Sequence, residues 1–179
     1  MKRKFKISKQ TVIRAILIAL IISVMVIIFV LSAEDSRDSS DTSGSFTSFV
    51  LRLFGIDAEG MSPEEFTKAE AFVRSAAHFS EYALLAFLAV LLLATYRMGR
   101  APALGFSTVF ASLYAVTDEI HQIFVPGRAA QFTDWLIDTS GAATGALAAF
   151  LVLLIAAAIK KRSLKPKIKT NRKNKKSKA

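Results

Sequence analysis

The chain of 179 residues contains no cysteine. This absence excludes disulfides, thiolate nucleophiles and cysteine-ligated metal sites, so any chemistry must use carboxylates, histidine or hydroxyl groups. Acidic residues are also missing from both ends, since all 14 lie between Glu34 and Asp138. The basic segment 160–179 lacks aromatic residues that would stack on bases, which disfavours nucleic acid as a partner. We expect this segment to be a disordered cytoplasmic tail that fixes topology or lies against anionic lipid head groups.

Long apolar runs dominate the rest of the chain, because 53% of the residues are hydrophobic. Four runs are each long enough to cross a hydrocarbon core of roughly 30 Å as a helix. A soluble domain of this length would not need four. We therefore predict an all-α, polytopic membrane bundle of four transmembrane helices in one domain, residues 15–159, with spans at about 15–31, 76–96, 102–124 and 135–159.

The basic residues predict the orientation of the bundle. Most of the 24 Lys and Arg lie in residues 1–14, in the link between the second and third runs, and in residues 160–179. An even number of crossings puts these segments on one side, which the positive-inside rule identifies as the cytoplasm. We thus predict a multi-pass plasma-membrane protein with both termini in the cytoplasm. A cleaved signal peptide is the alternative for the first run, but no small-x-small pair ends at Ala33.

The predicted outer loop, residues 32–75, contains two patterns. Its serine-rich beginning, SAEDSRDSSDTSGS, has no apolar period and is predicted to lack regular structure. Next, an outer amphipathic helix that Gly55 ends is predicted from the apolar residues Phe46, Phe49, Val50, Leu53 and Phe54. This helix would lie on the outer bilayer surface or pack against the spans.

A capping box marks the beginning of an extended second helix. Ser62 suits the cap, Pro63 suits the first turn, and Glu65 completes the box. No breaker follows before the second span. The helix is therefore predicted to be continuous from Pro63 to Tyr96 and to overhang the membrane on the outer side.

Polar residues recur at helical spacing near the outer ends of three spans. The second span carries Arg74, His78, Glu81 and Tyr82. The third carries Tyr114, Asp118, Glu119 and Gln122. The fourth carries Asp134, Asp138, Gly141 and Gly145, of which the two glycines form a small-xxx-small helix-packing pattern. Ionisable groups at this depth are costly beside lipid, so these side chains are predicted to face one another in a single site beside the turn that contains Arg128.

Several of these residues also have a purely structural interpretation. Asp134 suits the beginning of a helix, Trp135 suits an interfacial anchor, and Arg128 suits a turn in which it pairs with a nearby acid. His78 and His121 lack the spacing of known metal motifs and are more often structural histidines. No cofactor or metal site is therefore predicted, although histidine and carboxylates would also suit a divalent metal.

The segments HFSEY, DEIHQIFVPGR and FTDWLIDTSGAATG resemble the VanZ-like family of bacterial membrane proteins, named for a factor that gives resistance to teicoplanin. The resemblance covers roughly residues 31–150. It implies a multi-span membrane protein that in some members lowers susceptibility to lipid-tailed glycopeptides, and it implies no known reaction. The family's polar positions fall on His78, Glu81, Tyr82, Asp118, Glu119, Gln122, Arg128, Asp134 and Gly141. Asp138 departs from the family's pattern, because members commonly carry asparagine there.

These observations lead to three functional hypotheses, and they leave open whether the protein is an enzyme. The first is an envelope protein whose outward-facing polar pocket binds a lipid-linked cell-wall precursor or an amphiphilic antibiotic. Its predicted ligand-binding residues are His78, Glu81, Tyr82, Asp118, Glu119, Gln122, Arg128, Asp134 and Asp138. The second is an intramembrane hydrolase or transferase acting on lipid head groups, with Glu119, Asp118 and His78 as catalytic candidates. The third is a structural membrane protein in which the polar residues only lock the helices together.

Overall fold

The computed structural model describes residues 8–33, 36–126 and 128–163, with the side chains of residues 36–42 excepted. Every regular element in this part of the chain is an α-helix, which confirms the predicted all-α class. Most of the predicted basic N-terminus and C-terminal tail falls outside the described residues. The helices are α1 (Lys9–Ser32), α2 (Ser36–Leu53), α3 (Pro63–Thr95), α4 (Arg100–Gln122) and α5 (Phe132–Ser163).

Three of these helices, α1, α3 and α5, are long and apolar enough to cross a membrane. Helix α4 is long enough at 23 residues, but it carries hydroxyl and charged side chains along its length and is not among the three. The chain is therefore a membrane protein with several spans. The count of four spans and the cytoplasmic position of the termini stay predictions.

The helices run in two directions and give the bundle two different ends. Helices α1 and α4 run one way, and α3 and α5 run the other way, parallel to each other. At the end we call the basic end, Arg14 on α1 donates to the Thr95 carbonyl on α3 at 2.6 Å and lies over the Tyr96 ring at 3.9 Å. At the opposite end, called the polar end, α1 and α4 finish and α5 begins.

Two glycines allow α3 and α5 to touch backbone to backbone. A Cβ atom on Gly141 would lie 2.2 Å from the Phe79 carbonyl oxygen, and one on Gly145 would lie 1.8 Å from that of Ala83. Side-chain atoms essentially never approach so closely, so only glycine fits at either position. Alanines continue this face toward the basic end and are fully buried there: Ala142, Ala146 and Ala149.

The outer surface of the bundle is apolar. Helix α4 shows the division clearly, because its buried residues are all small or polar, while large apolar residues of the same helix are exposed, among them Phe106, Val109, Leu113 and Ile120. A surface of this kind is unsuited to water and suits contact with hydrocarbon chains.

The serine-rich stretch predicted to be a loop is helical from Ser36, so that prediction is wrong. Helix α2 packs along α3, where Thr47 and Leu51 are buried. Because helix formation is cooperative, this contact also stabilises the N-terminal turns of α2, where few residues are apolar. The helix ends at Leu53, and Gly55 follows with a positive φ of 73°, a conformation that glycine adopts without strain.

Most of the predicted amphipathic face of α2 does not pack against the spans, although Val50 is half-buried. Phe46, Phe49 and Leu53 are all exposed, and so is Phe54 just after the helix. The same helix buries a hydroxyl residue, Thr47, against α3. Of the two alternatives left open by the sequence, this arrangement favours a helix whose phenylalanines contact the bilayer surface.

The extended second helix is confirmed. Helix α3 runs without interruption for 33 residues and ends within one residue of the predicted boundary. Its capping box is complete: the Glu65 backbone N–H donates to Ser62 Oγ at 3.3 Å, and the Ser62 backbone N–H donates to Glu65 Oε2 at 2.8 Å. Helix α3 therefore reaches well past the end of α1 at the polar end, where α2 packs against it.

Candidate functional site

A polar cavity of about 240 Å³ opens at the polar end, between α3, α4 and α5. Its size exceeds by far the roughly 10–15 Å³ that a single water molecule needs. Its charged, histidine and amide residues, which define the polar cavity below, are Arg74, His78, Gln122, Arg128, Gln131, Asp134 and Asp138.

The helical repeat explains why these side chains meet. Arg74 and His78 lie one turn apart on α3, and Asp134 and Asp138 lie one turn apart on α5. Because α3 and α5 are parallel, the two pairs run side by side into the bundle. They end just before Gly141, where the two backbones come into contact and close the gap between the helices.

Asp138 lies at the inner end of the polar cavity and is only 1% exposed. Neither of its carboxylate oxygens accepts a hydrogen bond from any described residue. The nearest basic group is His78, whose Nδ1 atom lies 3.7 Å from Asp138 Oδ1, too far for a hydrogen bond. A buried carboxylate without a donor is costly, so Asp138 is the least satisfied polar group of the cavity.

Two guanidinium groups lie in the outer part of the polar cavity. Arg74 donates from Nη2 to Glu70 Oε1 and to Ser43 Oγ, both at 3.3 Å, and Ser43 also bonds to Glu70. The Nε atom of Arg74 is buried and has no hydrogen-bond partner among the described residues. Arg128 contributes a second guanidinium from the link between α4 and α5. The cavity thus has a cationic side and an anionic side.

A second polar cluster lies deeper, between α3, α4 and α1, and does not line the cavity. Asp118 is 3% exposed and accepts a hydrogen bond from Ser32 Oγ at 2.8 Å. Tyr114 donates to the Met25 carbonyl at 2.7 Å, and its ring centre lies 6.3 Å from that of the fully buried Tyr82. We call Ser32, Tyr82, Tyr114 and Asp118 the interior layer, which connects α1 to the rest of the bundle.

An apolar groove of about 360 Å³ adjoins the polar cavity between α4 and α5. Its apolar lining includes Ile120, Phe132 and Trp135, with the last two rings 5.3 Å apart. Glu119 borders the groove and accepts a hydrogen bond from the Gln131 backbone N–H at 2.7 Å. Gln131 itself lines both the groove and the polar cavity, so the two spaces lie next to this residue.

The structure divides the nine predicted ligand-binding residues into four groups. Five line the polar cavity: His78, Gln122, Arg128, Asp134 and Asp138. Glu119 borders the apolar groove. Asp118 and Tyr82 belong to the interior layer, and Glu81, half-buried on α3, lines neither space.

Three contributors had little or no signal in the sequence. Ser32 was assigned to the outer loop, although it is the buried last residue of α1 and donates to Asp118. Gln131 acts through its backbone N–H, which no residue pattern can indicate. Arg74 lies on the predicted stripe of His78, but it is not among the nine predicted ligand-binding residues, although it lines the polar cavity. His121, by contrast, stacks on Phe29 at 4.4 Å and lies outside the polar cavity.

Within the described residues, no three His, Asp or Glu side chains are grouped so that they could hold a metal ion. The polar cavity does combine two acids with one histidine on its wall, but they are spread along two helices.

Helices with an apolar outer surface and a polar cavity between them define a membrane protein with an internal polar site. The chain belongs to the VanZ/LLP1 family, whose pattern matches residues 17–154. The match includes every residue of the polar cavity, the interior layer and the apolar groove. Comparison with curated proteins and with solved structures finds no match to this chain.

Proposed function

We propose that the protein binds an amphiphile of the cell envelope, with the polar head group in the polar cavity and a hydrocarbon chain in the apolar groove. One observation carries this proposal: a charged cavity and an apolar groove lie side by side and share Gln131. A soluble polar ligand would not fill the apolar groove, and a hydrocarbon without a polar head group would not contact the charged side chains of the cavity.

The chemistry of the two spaces supports an amphiphile. Ligand sites usually combine an apolar wall with a few well-placed polar groups. Here the polar groups are concentrated in the cavity, while the groove presents Ile120, Phe132 and Trp135 near the beginning of α5. A polar head group joined to a hydrocarbon chain is found in membrane lipids, in lipid-linked cell-wall precursors and in lipid-tailed glycopeptides.

Membership of the family adds a proposed physiological role. We propose that the protein acts at the outer face of the bacterial plasma membrane, with both termini in the cytoplasm, and lowers susceptibility to teicoplanin-type antibiotics. This role follows from the resemblance to a teicoplanin-resistance factor. The basic residues at the end opposite the cavity support the orientation.

The test measures binding and protection with the same variants. Purified protein is titrated with envelope lipids and with teicoplanin, and cells that produce it are tested for teicoplanin susceptibility. Arg128→Ala should weaken binding and protection, because it removes a cation from the polar cavity. Arg52→Ala is the matched control and should behave as the parent does, because Arg52 is exposed on α2.

Two results would contradict different parts of this proposal. Binding that is the same in the parent and in Arg128→Ala, at equal protein level, would exclude the polar cavity as the site. Binding without any protection of cells by the parent would overturn only the antibiotic role.

A hydrolytic or group-transfer function is the second candidate, and the pairing of His78 with Asp138 favours it. A histidine whose Nδ1 faces a carboxylate is the usual arrangement of a general base and its orienting acid. His78 lines the polar cavity, whereas Asp118 is engaged by Ser32 and Glu119 by Gln131. Turnover of a lipid-linked precursor by the purified parent, abolished in His78→Gln, would establish an enzyme. Absence of turnover with bound precursor would favour the binding function.

A further inference from the structure

The polar cavity has opposite charges on its two sides, and this arrangement restricts the head group that fits. Arg74 and Arg128 supply positive charge, while Asp134 and Asp138 supply carboxylates. A head group with only negative charge would bring its charge toward two acids. One with only positive charge would meet two guanidinium groups. A zwitterion satisfies both sides.

The unpartnered atoms indicate which part of a zwitterion lies where. Asp138, at the closed inner end, has two carboxylate oxygens without a donor from any described residue. Arg74, nearer the opening, has a buried Nε–H without an acceptor in that same part of the chain. The deeper group of the ligand must therefore donate hydrogen bonds, and the outer group must accept them.

We propose that the head group is a phosphoethanolamine, bound with its primary ammonium on Asp138 and its phosphate toward Arg74 and Arg128. This inference rests on the proposed binding of an amphiphile. In a phosphatidylethanolamine the ammonium is the outermost group and the phosphate lies between it and the chains. A lipid that enters the cavity with its head group first thus presents the two charges in the required order.

The hydrogen-bonding groups distinguish this head group from its common relatives. A primary ammonium carries three N–H donors and can satisfy both oxygens of Asp138. The trimethylammonium of phosphatidylcholine has the same charge but no N–H, so it would leave them without a donor. The glycerol head group of phosphatidylglycerol has no positive charge to offset the buried carboxylate.

In this arrangement the hydrocarbon chain of the lipid leaves the polar cavity through the apolar groove. Because Gln131 lines both spaces, a phosphate beside Arg128 lies close to the beginning of the apolar groove. The lipid chain can then follow Phe132 and Trp135 toward the hydrocarbon core.

Selectivity among short-chain lipids tests this assignment. Full-length protein in detergent is titrated with dioctanoyl phosphatidylethanolamine, phosphatidylcholine and phosphatidylglycerol, and binding is followed by native mass spectrometry. The unaltered protein should bind phosphatidylethanolamine at least about tenfold more tightly than the other two, as expected for one charge-assisted contact in a buried site. Free O-phosphoethanolamine, which has no chain, should bind much more weakly than the lipid.

The variant Asp138→Asn keeps the size of the side chain and removes its charge. It should lose about tenfold in affinity for phosphatidylethanolamine while phosphatidylglycerol binding stays equal or improves. Glu64→Gln is the matched control, since Glu64 is exposed and, among the described residues, pairs only with Lys68 at 2.6 Å. The control should keep the selectivity of the parent.

The outcomes separate this inference from the proposed function. Equal affinity of the parent for all three lipids would overturn the phosphoethanolamine assignment and leave amphiphile binding standing. No binding of any lipid would overturn both. Free O-phosphoethanolamine bound as tightly as the lipid would support the head group but contradict the apolar groove as the site of the chain. The lipid selectivity of the parent decides the assignment even if Asp138→Asn fails to accumulate.

Discussion

Gly145 occupies a position where the fold allows no side chain. A Cβ atom there would overlap the carbonyl oxygen of Ala83, and a helical backbone cannot move aside locally as a flexible side chain can. The pattern GAATG predicted close helix packing, but GxxxG patterns are common. The sequence alone could not identify α3 as the partner, because small residues do not specify what they face.

Gly145→Ala should therefore lower the free energy of unfolding by about 1–3 kcal/mol, the usual cost of overpacking. The matched control is Gly105→Ala on α4, where an added Cβ meets nothing within 4 Å. This control should be neutral or stabilising by up to about 1 kcal/mol, because alanine favours a helix. Thermal unfolding in one detergent measures both. Equal melting temperatures for the two variants would contradict the α3 and α5 contact.

Ser32 shows how a small residue can support a buried charge. Its hydroxyl is the donor that Asp118 receives from α1, and both residues are buried. Nothing in the sequence distinguished Ser32 from the serines that follow it. Its importance depends on where α1 ends, and an apolar run gives that boundary only to within a few residues.

Ser32→Ala should cost about 1–3 kcal/mol of stability, because Asp118 loses its closest donor in a buried position. Ser80→Ala should change stability by no more than about 0.5 kcal/mol, since Ser80 is exposed and its hydroxyl donates to the Ala76 carbonyl of its own helix. Unfolding by heat or denaturant compares the two. A Ser32→Ala protein as stable as Ser80→Ala would show that the interior layer does not depend on this bond.

Among the elements, the long helices were predictable and α2 was only partly so. Apolar runs and the Ser62 capping box predicted helices at the positions of α1, α3, α4 and α5, although α1 begins at Lys9, before the predicted span 15–31. The first turns of α2 consist of serine and aspartate, which have weak helix propensity, so local sequence predicted a loop. Contact with α3 overrides that propensity, and such a contact is invisible to local patterns.

The exposed phenylalanines of α2 should lie in the bilayer surface. Because the chain has no cysteine, a single cysteine can be introduced for a spin label without background. A label at Phe49→Cys should be accessible to oxygen and protected from a water-soluble nickel reagent. A label at Lys68→Cys, exposed on the first turns of α3, should show the reverse. Nickel accessibility as high at position 49 as at position 68 would contradict membrane contact by α2.

For the whole molecule, charge patterning predicted an orientation, and the structure shows how that orientation would place the site. Basic side chains such as Arg14 and Arg100 lie at one end, and the polar cavity lies at the other. The sequence predicted that three polar stripes would converge. The sequence could not indicate which polar residues line the cavity and which face α1, because the rotation of each helix about its axis depends on packing against its neighbours.

Labelling of intact cells with a membrane-impermeant maleimide tests the orientation. Glu59→Cys, exposed between α2 and α3, should react in intact cells. Arg100→Cys, exposed at the beginning of α4, should react only after lysis. The reverse pattern would place the polar cavity on the cytoplasmic side and exclude an action on extracellular antibiotic.

The most direct test of amphiphile binding locates the chain of a bound lipid. A phosphatidylethanolamine with a photoreactive diazirine in its acyl chain is incubated with the full-length protein in nanodiscs, irradiated, and mapped by mass spectrometry. We predict crosslinks at Ile120, Phe132 and Trp135 that excess unlabelled phosphatidylethanolamine removes. Crosslinks at Phe106 and Leu113, exposed on α4 outside the groove, should not respond to this competition. Uniform labelling of all exposed apolar residues, unchanged by competitor, would contradict a lipid site at the apolar groove.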